Sequence, residues 1–259
     1  AQALNGIKGE VLTRVDFKGY DNPLEKTLKD SRMSKETLDS MLEAIKENLD
    51  IFHQYFLKKA EMLGHENALP FYDLFAPVGE SKSNYSYEEA ADFIIKNFRS
   101  FDDKLADFVK NAFDNNWIDA EPREGKRGGA FCSNIQAIGE SRILSNFNGS
   151  FSNLTTLAHE LGHAYHGNCL KDEEILNTSY PMPLAETASI FNETIITKAA
   201  LEKTEGEEYL AILENSISQA AQVIVDIYSR FLFEKSVFEK RKSSSLSVDE
   251  LKELMLDAQ

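Results

Sequence analysis

Thr155-Thr156-Leu157-Ala158-His159-Glu160-Leu161-Gly162-His163-Ala164-Tyr165-His166 is the stretch on which the reading of this chain turns. Five histidines occur in the sequence, and three of them, His159, His163 and His166, fall here. On a helix, residues four apart share a face with Cβ atoms about 5–6 Å apart, so His159 and His163 can offer imidazole nitrogens to one cation. Zinc accepts such nitrogens at about 2.0–2.1 Å in a tetrahedral set. Glu160, beside the first histidine, is placed to reach the water-filled fourth position rather than the metal, where its carboxylate can take a proton from the bound water. A chance H-E-x-x-H in a chain of this size is expected on the order of once in a hundred. Its surroundings must therefore carry the rest. Leu157, Ala158, Leu161 and Ala164 make the segment apolar around the motif, as a buried helix should be, and a buried histidine pair without a partner is costly. Two core histidines satisfied by hydrogen bonds are the competing reading.

A catalytic zinc needs a third protein ligand, and a carboxylate is the expected donor. His53 and His65 lie far from the cluster in sequence, and Cys132 and Cys169 are lone thiols. The H-E-x-x-H helix is expected over residues 152–166, ending near Gly167. A loop with Pro181 and Pro183 then leads to a second helix, expected over residues 184–203, with Pro183 near its first turn. Glu186, near the start of that helix, is the expected third ligand, with Glu173 and Glu174 in the charged run after the first helix as rivals. Ser189 and Glu193 share the face of Glu186. They are candidates to orient a ligand or touch substrate, because a ligand histidine usually donates its other ring nitrogen to a carboxylate or carbonyl. For Glu193 an ordinary salt bridge is the alternative. His166 lies a turn past His163, where it can hydrogen-bond substrate or cap the helix end.

Most of the remaining sequence reads at helical period. One amphipathic run starts at Ser34 and continues through Leu38, Met41, Ile45, Leu49, Phe52 and Phe56 to Gly64. Ser86 with Glu89, and Ser247 with Glu250, have capping-box spacing. Residues 102–113 repeat the helical pattern, and residues 209–241 form a long run with no proline and no glycine. Residues 121–129 are a glycine-rich turn region; residues 130–138 and 142–148, separated by Gly139-Glu140, read as a small β-hairpin or meander.

The chain has 259 residues, enough for one large domain or two modest ones without staples. With 43 acidic and 28 basic residues, its formal charge of −15 repels polyanions, so nucleic acid is not an expected ligand. No window reaches the 18 or so uncharged apolar residues a membrane helix needs, and no basic-then-apolar leader opens the sequence. Two unpaired cysteines suit a reducing compartment, and cytoplasm is the expectation.

Several motifs in order resemble the oligoendopeptidase F group, relatives of thimet oligopeptidase. They are Gly19-Tyr20 with Pro23-Leu24-Glu25, Phe71-Tyr72-Asp73-Leu74-Phe75-Ala76-Pro77, Trp117-Ile118-Asp119, Gly125-Lys126-Arg127-Gly128-Gly129-Ala130-Phe131-Cys132, the H-E-x-x-H stretch, and Ala185-Glu186-Thr187-Ala188-Ser189-Ile190-Phe191-Asn192-Glu193. The resemblance implies a mainly α, multi-helix metallopeptidase domain with a small sheet near the active site. It implies one zinc per chain on His159, His163 and Glu186, Glu160 as general base, and hydrolysis of short unstructured peptides in a cytoplasmic enzyme. The sheet would line the substrate channel, where an edge strand can pair with an extended peptide. The implied organisation is a helical region over residues 1–85 leading into the catalytic core over residues 86–259, cut short at its C-terminal end. Family members are about twice as long, so the chain resembles a central fragment, without the later tyrosine and histidine residues that stabilise the oxyanion. The alternatives are a metal- or peptide-binding protein without turnover, a helical interaction module with structural histidines, and a hydrolase acting on non-peptide substrates.

Overall fold

Six of the twelve described helices start at a side chain that accepts an otherwise unpaired first-turn amide. The computed structural model describes residues 1–79 and 84–259. In chain order the helices are α1 (Gln2–Phe17), α2 (Pro23–Asp30), α3 (Lys35–Glu47), α4 (Leu49–Met62), α5 (Tyr87–Arg99), α6 (Asp103–Asp114), α7 (Phe151–Cys169), α8 (Met182–Ala185), α9 (Thr187–Leu201), α10 (Gly206–Ala221), α11 (Ile227–Arg241) and α12 (Val248–Ala258). Strands β1 (Ile118–Asp119), β2 (Phe131–Ile135) and β3 (Glu140–Leu144) lie between α6 and α7. The chain is mainly α with one small sheet, the class expected from the sequence. Asn22, Ser34, Asp102 and Ser150 each accept one backbone amide at the head of their helices. Ser86 with Glu89 and Ser247 with Glu250 close both halves of a capping box.

By internal contacts the chain divides into two units, residues 1–78 with 217–259, and residues 79–216. Residues 217–259 thus group with the N-terminal helices. In that first unit Val237, Leu246 and Leu254 are buried together against Leu4, Phe233 and Leu251. The run from Ser34 to Gly64 is two helices rather than one. Asn48 sits between α3 and α4 at φ −108°, ψ 5°, and its side-chain amide donates to the Ala44 carbonyl at 2.8 Å. An asparagine that competes for backbone groups in this way favours a break over continued helix. The run at residues 209–241 is likewise interrupted, by a π-helical turn at Gln222–Asp226 between α10 and α11.

The second unit is built around α7. Leu154, Leu157, Ala158, Leu161 and Ala164 on that helix are fully buried against Ile94 and Phe98 of α5, Leu105 and Val109 of α6, and Ile196 of α9. Each such leucine contributes about 1.5–3 kcal/mol of burial. Gly149, just before α7, has φ +94°, and a Cβ there would meet Asn84 and the Tyr85 carbonyl at 2.0 and 2.9 Å, so only glycine fits. The sheet has strand order β1-β3-β2. β2 and β3 form the expected hairpin, with Phe131 opposite Leu144 and Ile135 opposite Glu140, while β1 joins β3 in parallel. β2 is therefore an edge strand. Its Asn134 side chain reaches the His163 carbonyl at 3.4 Å, which places the edge strand against the H-E-x-x-H helix.

Candidate metal centre

Helical spacing puts His159 and His163 on one face of α7. Their Nε2 atoms lie 3.1 Å apart, and Glu186 Oε2 lies 3.2 Å from the first and 3.4 Å from the second. Three donors bound at about 2.0–2.1 Å to one tetrahedral ion are separated by about 3.3 Å, since a tetrahedron's edge is about 1.63 times its centre-to-vertex distance. The spacing fits a single small cation. His159 Nδ1 lies 2.5 Å from Glu193 Oε1, which assigns the ring proton to that nitrogen and leaves Nε2 with its lone pair facing the other two donors. A lone pair and a carboxylate oxygen directed at one point repel each other unless a cation sits between them. Among the described residues, these three form the one group of metal-ligating side chains.

Glu186 lies near the start of a long helix, as expected, but the helix expected over residues 184–203 is broken at this residue. It sits at φ −90°, ψ 0° between the single turn of α8 and the start of α9. Pro181 as N-cap and Pro183 in the first turn account for where α8 starts, because proline is tolerated in a helix's first turn. The junction is fixed from α9: Ser189 is fully buried, and its Oγ lies 3.0 Å from both the Glu186 carbonyl and Glu186 Oε2. Ser189 in turn touches α7 at Gly162. A Cβ on Gly162 would lie 2.6 Å from Ser189 Cα and 2.7 Å from the Ala188 carbonyl oxygen. The glycine lets the two helices approach closely enough for the three donors to meet. Asn192 adds a buried bond to the Ala158 carbonyl at 3.4 Å. Gly162 is a site-building residue that motif reading passed over; its signal was a glycine inside a helix, which costs about 1 kcal/mol and calls for a packing reason.

Glu160 is buried, and its Oε2 has no hydrogen-bond partner among the described residues. Burial raises its proton affinity; His159 opposes the shift, and the nearby Glu186 and Glu193 reinforce it. For His159 burial acts to lower the pKa, but Glu193, Glu160 and Glu186 outweigh it and the net shift is upward. Burial lowers the pKa of His163. His166 stays outside the donor group. Its ring stacks on Tyr180 at 4.2 Å between centroids, and its Nδ1 is buried without a partner among the described residues. Glu173 and Glu174 are exposed in the loop after α7. Cys132 on β2 has its thiol pushed up to about 12, by burial first and then by the charge of Glu160. Neither Cys132 nor Tyr180 had been singled out as a site residue from the sequence.

Over residues 7–254 the chain matches the family model of peptidase family M3. It is 28% identical over 225 residues to the chromosomal oligoendopeptidase F of Lactococcus lactis subsp. cremoris, covering 86% of this chain and 37% of that protein. It is 29% identical over 193 residues to the oligopeptidase PepF of Bacillus subtilis (strain 168), covering 74% of this chain and 28% of that protein. The chain thus spans well under half the length of the curated relatives it matches. A candidate peptidase from Chlamydophila abortus shares the fold with a TM-score of 0.83 at 23% identity, over 99% of this chain and 43% of its own. PZ peptidase A does so with a TM-score of 0.69 at 18% identity, over 99% and 47%. A family match that runs through nearly the whole chain and encloses the His-His-Glu group places it in peptidase family M3.

Proposed function

We propose that this chain carries the catalytic core of a zinc-dependent endopeptidase acting on short, unstructured peptides, with His159, His163 and Glu186 as ligands and Glu160 as general base. The convergence of two imidazole nitrogens and one carboxylate oxygen at 3.1–3.4 Å carries the proposal. Bound zinc would polarise the scissile carbonyl and acidify a water molecule. Glu160, buried and with one oxygen unpartnered, takes the proton from that water and passes it to the leaving amine; its raised proton affinity suits both transfers. Glu193 holds the His159 ring in the tautomer that ligates, and Ser189 holds the Glu186 carboxylate.

The free edge of β2, next to α7, offers unpaired backbone groups to an extended peptide. A substrate that must add itself as a strand has to be unfolded, which is the basis for assigning short peptides. The catalytic core is assigned to residues 86–259, as the family resemblance implies. Free thiols at Cys132 and Cys169 suit cytoplasmic action. No helix among the described residues is long and apolar enough to cross a membrane.

The test is Glu160→Gln. It should keep its metal and lose about a hundredfold to ten-thousandfold in peptide hydrolysis, the usual contribution of a positioned general base. Hydrolysis at the unmodified rate would remove Glu160 from the mechanism.

A further inference from the structure

The glycine-rich loop at residues 121–129, which leads from β1 into β2, is held more firmly than its exposure suggests. The Lys126 side chain is 1% exposed, and its ammonium donates to the carbonyls of Asp119 at 2.9 Å, Glu121 at 2.9 Å and Ser145 at 2.6 Å, and to Asp119 Oδ1 at 3.1 Å. Arg123 grips the same carboxylate with two bonds of 2.7 and 2.8 Å. From β3's side of the loop, the Asn146 amide donates to the carbonyls of Arg127 at 3.0 Å and Gly129 at 2.9 Å. Of the loop's three cations, Arg123 and Lys126 are thus engaged by Asp119. Arg127 is exposed and has no acidic partner among the described residues. Gly128 and Gly129, which follow it, have open space around them. In a chain of formal charge −15, a cation on a backbone pinned at both sides and left without a counter-ion suits an anion from outside the chain.

Its position says which anion. Three residues separate Arg127 from Phe131, where the β2 edge begins, and Asn134 further along that strand lies against the His163 carbonyl. A peptide laid antiparallel to β2 ends at the Phe131 side and approaches Arg127 with its C-terminal carboxylate. A parallel peptide would bring its ammonium there and be repelled.

We propose that Arg127 binds the C-terminal carboxylate of the peptide substrate and so sets its direction as antiparallel to β2. The proposal rests on the peptidase reading.

The test uses the zinc-loaded full chain carrying Glu160→Gln, so that binding is read without turnover. An N-acetylated, fluorescently labelled octapeptide is titrated as the free acid and as the C-terminal amide. The acid should bind about tenfold tighter, as one charge-assisted hydrogen bond provides. Adding Arg127→Gln should bring the ratio close to one, while Arg127→Lys, a point charge without the planar fork, should keep part of it. Equal binding of the two peptides with Arg127 intact, an undiminished ratio in Arg127→Gln, or no binding of either peptide overturns the proposal. If the ratio behaves as expected but the chain with Glu160 intact hydrolyses neither peptide, the peptidase reading fails while the carboxylate site stands.

Discussion

Gly162→Ala adds one methyl group where α7 meets α9, and its effect on the metal site can be worked from the contact distances. The new Cβ would lie 2.6 Å from Ser189 Cα, 2.7 Å from the Ala188 carbonyl oxygen and 2.9 Å from Ser189 N. Carbon atoms are comfortable at about 3.5 Å, so α9 has to retreat by about 0.9 Å, and the obstacle is backbone that no rotamer change can clear. Overpacking of this kind costs about 1–3 kcal/mol. Alanine also returns about 1 kcal/mol of helix propensity. The net loss of stability is therefore modest, about 0–2 kcal/mol. The effect on the ligands is larger. Ser189 carries the hydrogen bonds that hold Glu186, and metal–ligand distances tolerate only about 0.2 Å. Zinc affinity should fall about tenfold to hundredfold, as it does when supporting contacts of a metal site are lost. Competition titration with a zinc chelator measures the affinity, and thermal unfolding with and without zinc measures the stability. Gly6→Ala in α1, where no atom lies within 4 Å, serves as the control and should stabilise by about 0.5–1 kcal/mol without changing zinc affinity. A Gly162→Ala protein with unmodified zinc affinity would refute the argument that this glycine sets the spacing of the three donors.

Ser189→Ala removes a hydroxyl that is fully buried and lies 3.0 Å from Glu186 Oε2; zinc affinity should drop about tenfold with the helical circular dichroism unchanged, and an unchanged affinity would show that Glu186 needs no such support. The Cys132 thiol, pushed up to about 12, stays protonated throughout the neutral range, so iodoacetamide at pH 8 should label the exposed Cys169 and leave Cys132 unmodified in the folded chain. Peptide mapping checks this, and prompt labelling of Cys132 would contradict its burial.

The features legible in the sequence are those written over a few consecutive residues. The i, i+4 histidines and the two capping boxes occur where local spacing put them, and the β2–β3 hairpin occurs in the expected region with its second strand beginning two residues earlier, at Glu140. Glu186 was also legible as a carboxylate near a helix start, but its place at a break between α8 and α9 was not, because no glycine, proline or capping side chain marks residue 186 itself. Contacts distant in sequence were hidden. β1 is two residues long and exists because β3 pairs with it, so residues 118–119 carry no strand periodicity of their own. Lys126 read as part of a charged turn, and its burial under four acceptors depends on Ser145 and Asp119 arriving from other segments. Asn48 was absorbed into a helical pattern whose apolar spacing continued past it; the side-chain bond to Ala44 that accompanies the break is invisible to periodicity.

The most direct test of the account is the zinc content of the chain by elemental analysis after dialysis, for the unmodified protein, His163→Ala, Glu186→Ala and Glu173→Ala. One equivalent in the unmodified chain and in Glu173→Ala, with loss in His163→Ala and Glu186→Ala, is the predicted result. Substoichiometric zinc in the unmodified chain, or one equivalent retained when His163 is replaced, would contradict a metal centre built on α7 and the α8–α9 junction.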